Sequence, residues 1–303
     1  MSRPDPGLLR WVTSCVDPGA SVRSVTGMGR RGESPWLVRL AGSDIDEVVV
    51  RVGDESGVAL LATEAAALEV LAASDVPGPR LLGAAMGGPA TSGVFALVTT
   101  RVPGTSRSSV EPSTARLRAL GGAVATVHAV ALPPSPHLPA RSRPVGPVDF
   151  DAIRRDESTR PLLAEAEDFL RRNPIPDHPP VFVHGDFWHG NALWDGDRLT
   201  GIIDWECAGI GHPGIDLGML RCDAALAVGL AGADAVLAGY ESAIGRPAAD
   251  VAYWDVAGAL ATPPTMDWFV QTFVAHGRTD LDPPTLLERR DAFLTAALDR
   301  ARA

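Results

Sequence analysis

A short segment in the second half of the chain concentrates side chains that can bind metals or move protons. The segment VHGDFWHGNALW, from Val183 to Trp194, contains two histidines, an aspartate, an asparagine and two tryptophans. A second segment, LTGIIDWE, follows it and ends in Asp204, Trp205 and Glu206. These residue types are compatible with a metal site, with a catalytic loop, or with a polar turn beside aromatic core residues.

A predicted hairpin limits these alternatives. The runs ALW and LTGIID read as two strands around the turn DGDR, which would bring Asp204 close to the loop of Asp186 and Asn191. Asn191 and Asp204 offer oxygen ligands, which suit a hard cation such as Mg²⁺ that keeps its waters and binds phosphates. They suit Zn²⁺ less well, because zinc prefers histidine and cysteine.

The order and spacing of these motifs resemble the phosphotransferase enzyme family that includes aminoglycoside and macrolide phosphotransferases. The matching residues are His184, Gly185, Asp186, Asn191, Asp204, Trp205, Glu206 and Asp216. The resemblance implies a protein-kinase-like fold and a small-molecule kinase that uses ATP or GTP. It also implies a role for each motif: Asp186 takes or orients the proton of the acceptor hydroxyl, and Asn191 and Asp204 hold Mg²⁺ against the phosphates.

Two further residues of this motif are expected to support the site rather than to react. His184 precedes Gly-Asp, a position that braces the loop in kinase-like proteins, so we interpret it as structural and not as a general base. Asp216 lies just before a predicted helix, and the resemblance favours a carboxylate that binds the backbone near the catalytic loop.

The elements around the motifs indicate two lobes. The β-prone runs SVRSVTG, SPWLVRL and DEVVVRV, a helix over 58–73, and the strands RLLGAAM and VFALVTTRV form a first region. Predicted helices over 112–130 and 149–172, and helical patterns from Pro213 onward, form a second. We therefore predict an α+β, two-lobed kinase-like fold: a small β-rich N-terminal nucleotide-binding lobe (1–102), and a larger helical C-terminal lobe (103–303) with the embedded catalytic hairpin and the acceptor pocket.

A glycine-rich segment in the first lobe is a candidate phosphate-binding loop. Gly27, Gly29 and Gly32 match GxGxxG, but strands rather than a helix follow, which argues against a dinucleotide fold. A hairpin over the phosphates fits better, and an ordinary hairpin turn is the alternative. Ser34 is a candidate donor to a phosphate oxygen.

A buried ion pair is predicted beside this loop. Arg51 lies on the face of its strand opposite Val48 and Val50, at the place where kinase-like folds carry a basic residue for the phosphates. Glu64 lies on the apolar face of the following helix, where a carboxylate needs a partner. We therefore predict an Arg51–Glu64 pair.

The family resemblance also places the adenine contacts. It matches VFALVTTRVPGT to the interlobe hinge, where backbone groups of Thr100, Arg101 and Val102 would bind the base.

Composition narrows the partners. The formal net charge of −10 argues against nucleic acid, and the absence of a long apolar run argues against a membrane span. The N-terminal segment lacks the pattern of a secretory signal, so we predict a cytoplasmic protein. Residues 1–102 contain 9 Arg and 11 Asp and Glu, whereas residues 103–303 contain 18 Arg and 26 Asp and Glu. The excess of negative charge in the second region slightly favours a cationic acceptor.

The acceptor itself is the least determined part. Candidates for its pocket are His189, Asp223, Asp267 and Trp268, although an exposed loop histidine and solvated helix faces are the simpler interpretations. A cationic antibiotic of aminoglycoside or macrolide type is the first hypothesis. A metabolic kinase acting on choline, homoserine, a sugar or a fructosamine is the second, and a metal-dependent hydrolase or a non-catalytic nucleotide-binding protein is the third.

Overall fold

The fold comprises two compact units. The computed structural model describes residues 4–29, 34–54, 57–91, 93–107, 111–130, 132–146, 148–157 and 160–303. The first unit is Met1–Pro103 with Gly201–Glu206, and the second is Gly104–Thr200 with Cys207–Ala303. Residues 201–206 were predicted to belong to the second lobe. These residues pack with the first unit because the amide of Ile202 donates to the carbonyl of Pro77 over 2.8 Å.

The first unit is built on a five-stranded antiparallel sheet in the order β1-β2-β3-β5-β4. Its elements are α1 (Pro6–Val16), β1 (Ser21–Gly27), β2 (Trp36–Ala41), β3 (Glu47–Gly53), α2 (Val58–Ala72), β4 (Leu81–Met86) and β5 (Phe95–Thr100). The strands match the β-prone runs of the sequence, and α2 matches its Ala- and Leu-rich helix.

The two faces of this sheet carry different cores. Val48 and Val50 of β3 are fully buried in a cluster with Val12 of α1. On the other face, Leu97 of β5 packs against α2. Arg51 pairs across the strands with Leu97, so strand alternation turns its side chain toward the α2 face.

The second unit is mainly helical. Its elements are α3 (Thr114–His128), β6 (Ala140–Arg141), α4 (Phe150–Glu157), α5 (Pro161–Arg172), β7 (Val181–Val183), β8 (Ala192–Asp195), β9 (Arg198–Ile202), β10 (Gly209–Gly211), α6 (Gly214–Val228), α7 (Leu230–Ile244), α8 (Val251–Leu260), α9 (Asp267–Ala275) and α10 (Pro283–Arg302). β6, β10 and β7 form one small sheet, and β8 and β9 form the predicted hairpin, whose last residues pass into the first unit.

Helix α6 is the centre of the second unit. Every residue from Gly214 to Ala227 is buried, as expected for a helix that is covered on all sides. Its apolar residues share a core with α8 and α10. None of the described helices is both long and apolar enough to cross a membrane.

Some elements differ from the sequence prediction. The helix predicted over 149–172 is two helices, because Pro161 begins α5 and cannot continue a helix that precedes it. Helix α1 and strands β6 and β10 were not predicted. β10 consists of Gly-Ile-Gly, a sequence with low strand propensity that pairs only because its neighbours in the sheet are already in place.

Two adjacent glycines of α3 provide a test of this packing. A Cβ on Gly121 would lie 2.1 Å from the carbonyl oxygen of Val236 in α7, whereas a Cβ on Gly122 would meet nothing within 4 Å. We expect Gly121→Ala to destabilise the protein by roughly 1–3 kcal/mol because the helices must separate. Gly122→Ala should stabilise it by about 0.5–1 kcal/mol. Urea unfolding measures both, and equal effects would contradict the close helix contact.

Candidate active site

The loop after β7 has a shape that requires glycine. Gly185 has a φ of +82°, and a Cβ there would lie 2.1 Å from the carbonyl oxygen of Cys207. No other residue fits that space, so His184-Gly185-Asp186 is fixed from one side by the segment at Cys207. Asp186 therefore follows a turn of defined geometry.

Asp216 holds the same loop from beneath. Its carboxylate accepts the backbone N–H groups of His184 and Gly185 over 2.8 and 2.7 Å. The side chain is completely buried. Burial raises the pKa of this carboxyl, but the hydrogen bond and charge of His128 and the contacts with His184 outweigh it and lower the pKa below its ordinary value. The carboxylate thus stays ionised, as a backbone-binding group must.

A tyrosine and a histidine extend this support into the helical core. His128 Nε2 lies 3.1 Å from Asp216, and its Nδ1 lies 3.0 Å from the hydroxyl of Tyr240. Because the carboxylate can only accept, Nε2 donates to it, and the Tyr240 hydroxyl is hydrogen-bonded to the other ring nitrogen. Neither His128 nor Tyr240 was predicted from the sequence, since a lone histidine on a helix belongs to no recognisable motif.

His184 and Asn191 complete the loop. The Nδ1 atom of His184 accepts the N–H of Asp186 over 3.3 Å, a bracing contact of the kind the sequence predicted. Asn191 donates from its amide nitrogen to the carbonyl of Asp186 over 2.9 Å. That bond fixes the side chain and leaves its amide oxygen for another partner.

The structure brings Arg51 and Glu64 together and adds two further carboxylates. One guanidinium nitrogen, Nη1, donates to Glu64 over 3.1 Å and to Asp204 over 2.6 Å. The other, Nη2, donates to Glu206 over 2.5 Å. Glu206 belongs to the sequence motif, but no role was predicted for it. One positive charge therefore faces three carboxylates.

This excess of negative charge shifts the ionisation of the cluster. Burial lowers the pKa of Arg51, but the charges of Glu64, Asp204 and Glu206 outweigh it and raise the pKa above its ordinary value. Burial raises the pKa of Glu64 to about 7, and Arg51 offsets this only in part because two other carboxylates share it. Burial and Asp204 likewise raise the pKa of Glu206. The single positive charge of Arg51 therefore does not neutralise the three carboxylates of the cluster.

The chemistry of these groups fits a magnesium ion. Carboxylate and amide oxygens are ligands that Mg²⁺ accepts, and a divalent cation would offset the negative charge around Arg51. Asp204 also has a φ of +69°, a conformation that non-glycine residues seldom adopt and that is concentrated at functional sites.

The candidate phosphate loop is partly described. Gly27 ends β1, which pairs antiparallel with β2, so the segment joins two strands as a hairpin. Gly29 and Ser34 are described, whereas Gly32 lies outside the described residues. The hydroxyl oxygen of Ser34 accepts the N–H of Val52 over 3.0 Å, which fixes the side chain against β3 and leaves its proton to donate.

The three residues predicted to bind the base, Thr100, Arg101 and Val102, have different contacts. The N–H of Thr100 donates to the carbonyl of Arg80 over 2.9 Å, so a contact of Thr100 with a base would use its carbonyl group. Arg101 directs its guanidinium to Glu47 over 2.7 Å. Val102 packs against Gly201.

A cavity of about 220 Å³ lies within the second unit, beside Asp186. Its walls are mainly apolar and aromatic, from Phe150, Trp188, Met219, Leu226, Trp268, Phe269 and Phe273. Among the described residues that line it, Asp186 and Asp223 are the charged ones, and both are acidic.

The acceptor-pocket candidates separate accordingly. Asp223 and Trp268 line the cavity, whereas Asp267 does not and is exposed on α9. The expectation of an exposed His189 is wrong, because its side chain is only 14% exposed. Both its backbone N–H and its Nδ1 contact one oxygen of Asp223, at 3.0 and 2.7 Å.

The first unit carries an arginine paired with carboxylates on its sheet, and the second carries a braced aspartate beside an apolar cavity, as expected for a small-molecule kinase of α+β, kinase-like fold. The model of the phosphotransferase enzyme family matches residues 30–252. The chain therefore belongs to the phosphotransferase enzyme family, and the predicted fold and enzyme class are confirmed.

Solved structures support the fold. A protein of Ralstonia eutropha JMP134, provisionally assigned as an aminoglycoside phosphotransferase, aligns with a TM-score of 0.64 and 18% identity over 97% of this chain and 98% of that one. The macrolide 2′-phosphotransferase of Brachybacterium faecium aligns at 0.56 and 21% over 92% and 93%. A microcompartment-associated aminopropanol kinase aligns at 0.57 and 17% over 95% and 94%.

One set of relatives matches only locally. The homoserine kinase of Brucella canis is 43% identical over 56 residues, which is 18% of this chain. The matched segment is 17% of the length of that enzyme.

The elevated pKa of Glu64 predicts a pH dependence of stability. The ordinary pKa is 4.5 and the folded one about 7, so between these values the folded state keeps a proton that the unfolded state has lost. The free energy of unfolding should therefore fall as pH rises from 4.5 to about 7 and then level off. Urea unfolding across this range should show that Glu64→Gln removes the decline. Glu69→Gln, exposed on the same helix, is the control, and an unchanged slope in Glu64→Gln would contradict the assignment.

The support from Asp216 predicts a large effect on folding. Asp216→Asn keeps the shape but replaces one acceptor oxygen with a donor, which leaves a buried N–H of the loop without its partner. We expect a loss of about 3–5 kcal/mol in the free energy of unfolding. Asp299→Asn, at a site whose side chain is 70% exposed, should change little. Equal unfolding midpoints for the two variants would refute the anchoring role.

Proposed function

We propose that this kinase transfers the γ-phosphoryl group of MgATP or MgGTP to a hydroxyl of a cationic small molecule with an extended apolar face. An antibiotic of macrolide type fits best among the aminoglycoside and macrolide acceptors of the first hypothesis, and the reaction would then confer resistance. The observation that carries the proposal is the apolar cavity whose charged lining residues, among those described, are the carboxylates of Asp186 and Asp223. We place the reaction in the cytoplasm, where nucleoside triphosphates are available.

The proposed roles follow from the chemistry of each group. Asp186 accepts the proton of the acceptor hydroxyl as that oxygen attacks the γ-phosphorus. Arg51 binds the α/β-phosphates, with Glu64 and Glu206 holding its fork in place. Asn191 and Asp204 would hold Mg²⁺, which supplies charge neutralisation of the phosphates when bound.

Charge and polarity of the cavity support a cation with an apolar body. An ammonium group can pair with Asp223, whose other oxygen is held by His189. The aromatic walls can cover a large apolar face, whereas an aminoglycoside with several ammonium groups would bury charges against apolar rings. A single amine on an apolar scaffold, as in a macrolide, avoids that penalty.

A second candidate acceptor is a small amino alcohol. The aminopropanol kinase shares the fold, and an amino alcohol carries one ammonium group and no carboxylate, which suits the two acidic lining residues. Homoserine fits less well because its carboxylate would need a cation, and no described residue that lines the cavity is basic. We place the amino alcohol second because the cavity walls offer far more apolar contact than its short chain can use.

The first experiment is a screen of nucleotides and acceptors. ATP and GTP with Mg²⁺ should each be tested for thermal stabilisation, followed by turnover with macrolides, aminoglycosides, aminopropanol, choline and homoserine. We expect magnesium-dependent stabilisation by a nucleotide and turnover of roughly 1–100 s⁻¹ with a good macrolide acceptor. Nucleotide stabilisation with turnover of homoserine alone would contradict the proposed acceptor class and leave the kinase intact.

Variants of the two cavity carboxylates test their separate roles. Asp186→Asn should reduce kcat by roughly 10²–10⁴ with nucleotide affinity kept, since it removes the proton acceptor. Asp223→Asn should raise the KM for the cationic acceptor by roughly tenfold, about 1.4 kcal/mol, and leave the nucleotide KM unchanged. Asp267→Asn, exposed on α9 outside the cavity, is the matched control. An unchanged acceptor KM in Asp223→Asn would refute the ammonium contact.

A further inference from the structure

Val145 has an unfavourable backbone conformation. Its φ is +46°, and the other described non-glycine residues with positive φ are both aspartates, Asp204 and Asp250. Aspartate tolerates this region because its short polar side chain can hydrogen-bond locally, whereas a β-branched side chain clashes with its own backbone. Valine is thus among the least suitable residues for this position.

Contacts on both sides hold Val145 in that conformation. Its N–H donates to the carbonyl of Gly185 over 2.7 Å, and its own carbonyl accepts the N–H of Val148 over 2.9 Å. Just upstream, β6 pairs with β10, and the guanidinium of Arg141 donates to the carbonyl of Ala208 over 2.9 Å. The chain is therefore fixed before, at and after residue 145.

The position of Val145 relates it to the chemistry. It lines the same cavity as Asp186, and it bonds to Gly185, the residue immediately before Asp186. The backbone conformation of Val145 therefore determines both part of the cavity wall and the hydrogen bond that holds Gly185. Glycine would adopt this conformation without strain, but it would leave the wall open.

We infer that Val145 is an acceptor-binding residue, and that its strained backbone is maintained because it places the isopropyl group on the cavity wall beside Asp186. The inference rests on the proposed function, since it takes this cavity to be the acceptor site. Strain of this kind persists only where the surrounding structure over-determines it, and it is concentrated at ligand sites.

The strain is tested by comparing alanine with glycine at two positions. At an ordinary position, alanine is more stable than glycine because it restricts the unfolded chain. We expect the reverse at residue 145, with the melting temperature of Val145→Gly above that of Val145→Ala. Val148, which lines the same cavity without a positive φ, should keep the ordinary order. The ordinary order at both positions would overturn the inference.

The binding role is tested by steady-state kinetics with a macrolide and with aminopropanol. For whichever of these the unaltered chain phosphorylates, Val145→Ala and Val145→Gly should each raise the acceptor KM by roughly tenfold through lost apolar contact. The nucleotide KM should stay constant, which a merely structural defect would not allow. An unchanged acceptor KM, or equal rises in both KM values, would overturn the inference alone.

The two proposals fail in different ways. If the unaltered chain phosphorylates neither compound, the proposed acceptor class fails, and the binding role of Val145 falls with it. If the unaltered chain is active and the variants keep its acceptor KM, the acceptor class stands and only the role of Val145 is refuted. The melting temperatures report on the strain in either case.

Discussion

The buried carboxylate of Asp216 holds the backbone on which the site depends. It accepts the N–H groups of His184 and Gly185, and with them it fixes where Asp186 begins. A buried carboxylate can accept both N–H groups in its ionised form only if nearby donors replace the lost solvation, and His128 is one such donor. Since α6 carries Asp216 and is buried on all sides, the helical core and the loop of Asp186 share one anchor.

In the first unit, the charges of Arg51 and the three carboxylates around it do not balance one to one. Burial raises the pKa of Glu64 to about 7, and Arg51 does not reverse the rise because this one cation serves three carboxylates. The planar fork of arginine allows two nitrogens to bind separate partners, which a lysine could not do. Three carboxylates around one guanidinium leave an excess of negative charge, which is the basis for proposing that a magnesium nucleotide binds beside them.

Local patterns predicted much of this arrangement. The alternation of β3 and the apolar face of α2 placed Arg51 and Glu64 for contact, and turn residues predicted the β8–β9 hairpin. Other features had no local pattern. His189 was expected in solvent, because the loop sequence does not reveal that its ring contacts Asp223, which lies 34 residues later in the chain. The break at Pro161 was visible in the sequence, but the helical composition on both sides concealed it.

The sequence by itself determined the family, the fold class and the residue types of the site, because these follow from motif spacing and from periods of two and 3.6 residues. Only the tertiary structure decided which groups meet. The sharing of Arg51 among three carboxylates, the pairing of His189 with Asp223 and the conformation of Val145 all depend on contacts between distant segments. Local sequence encodes backbone preference and burial, but the position of one segment against another is settled only when the whole core packs.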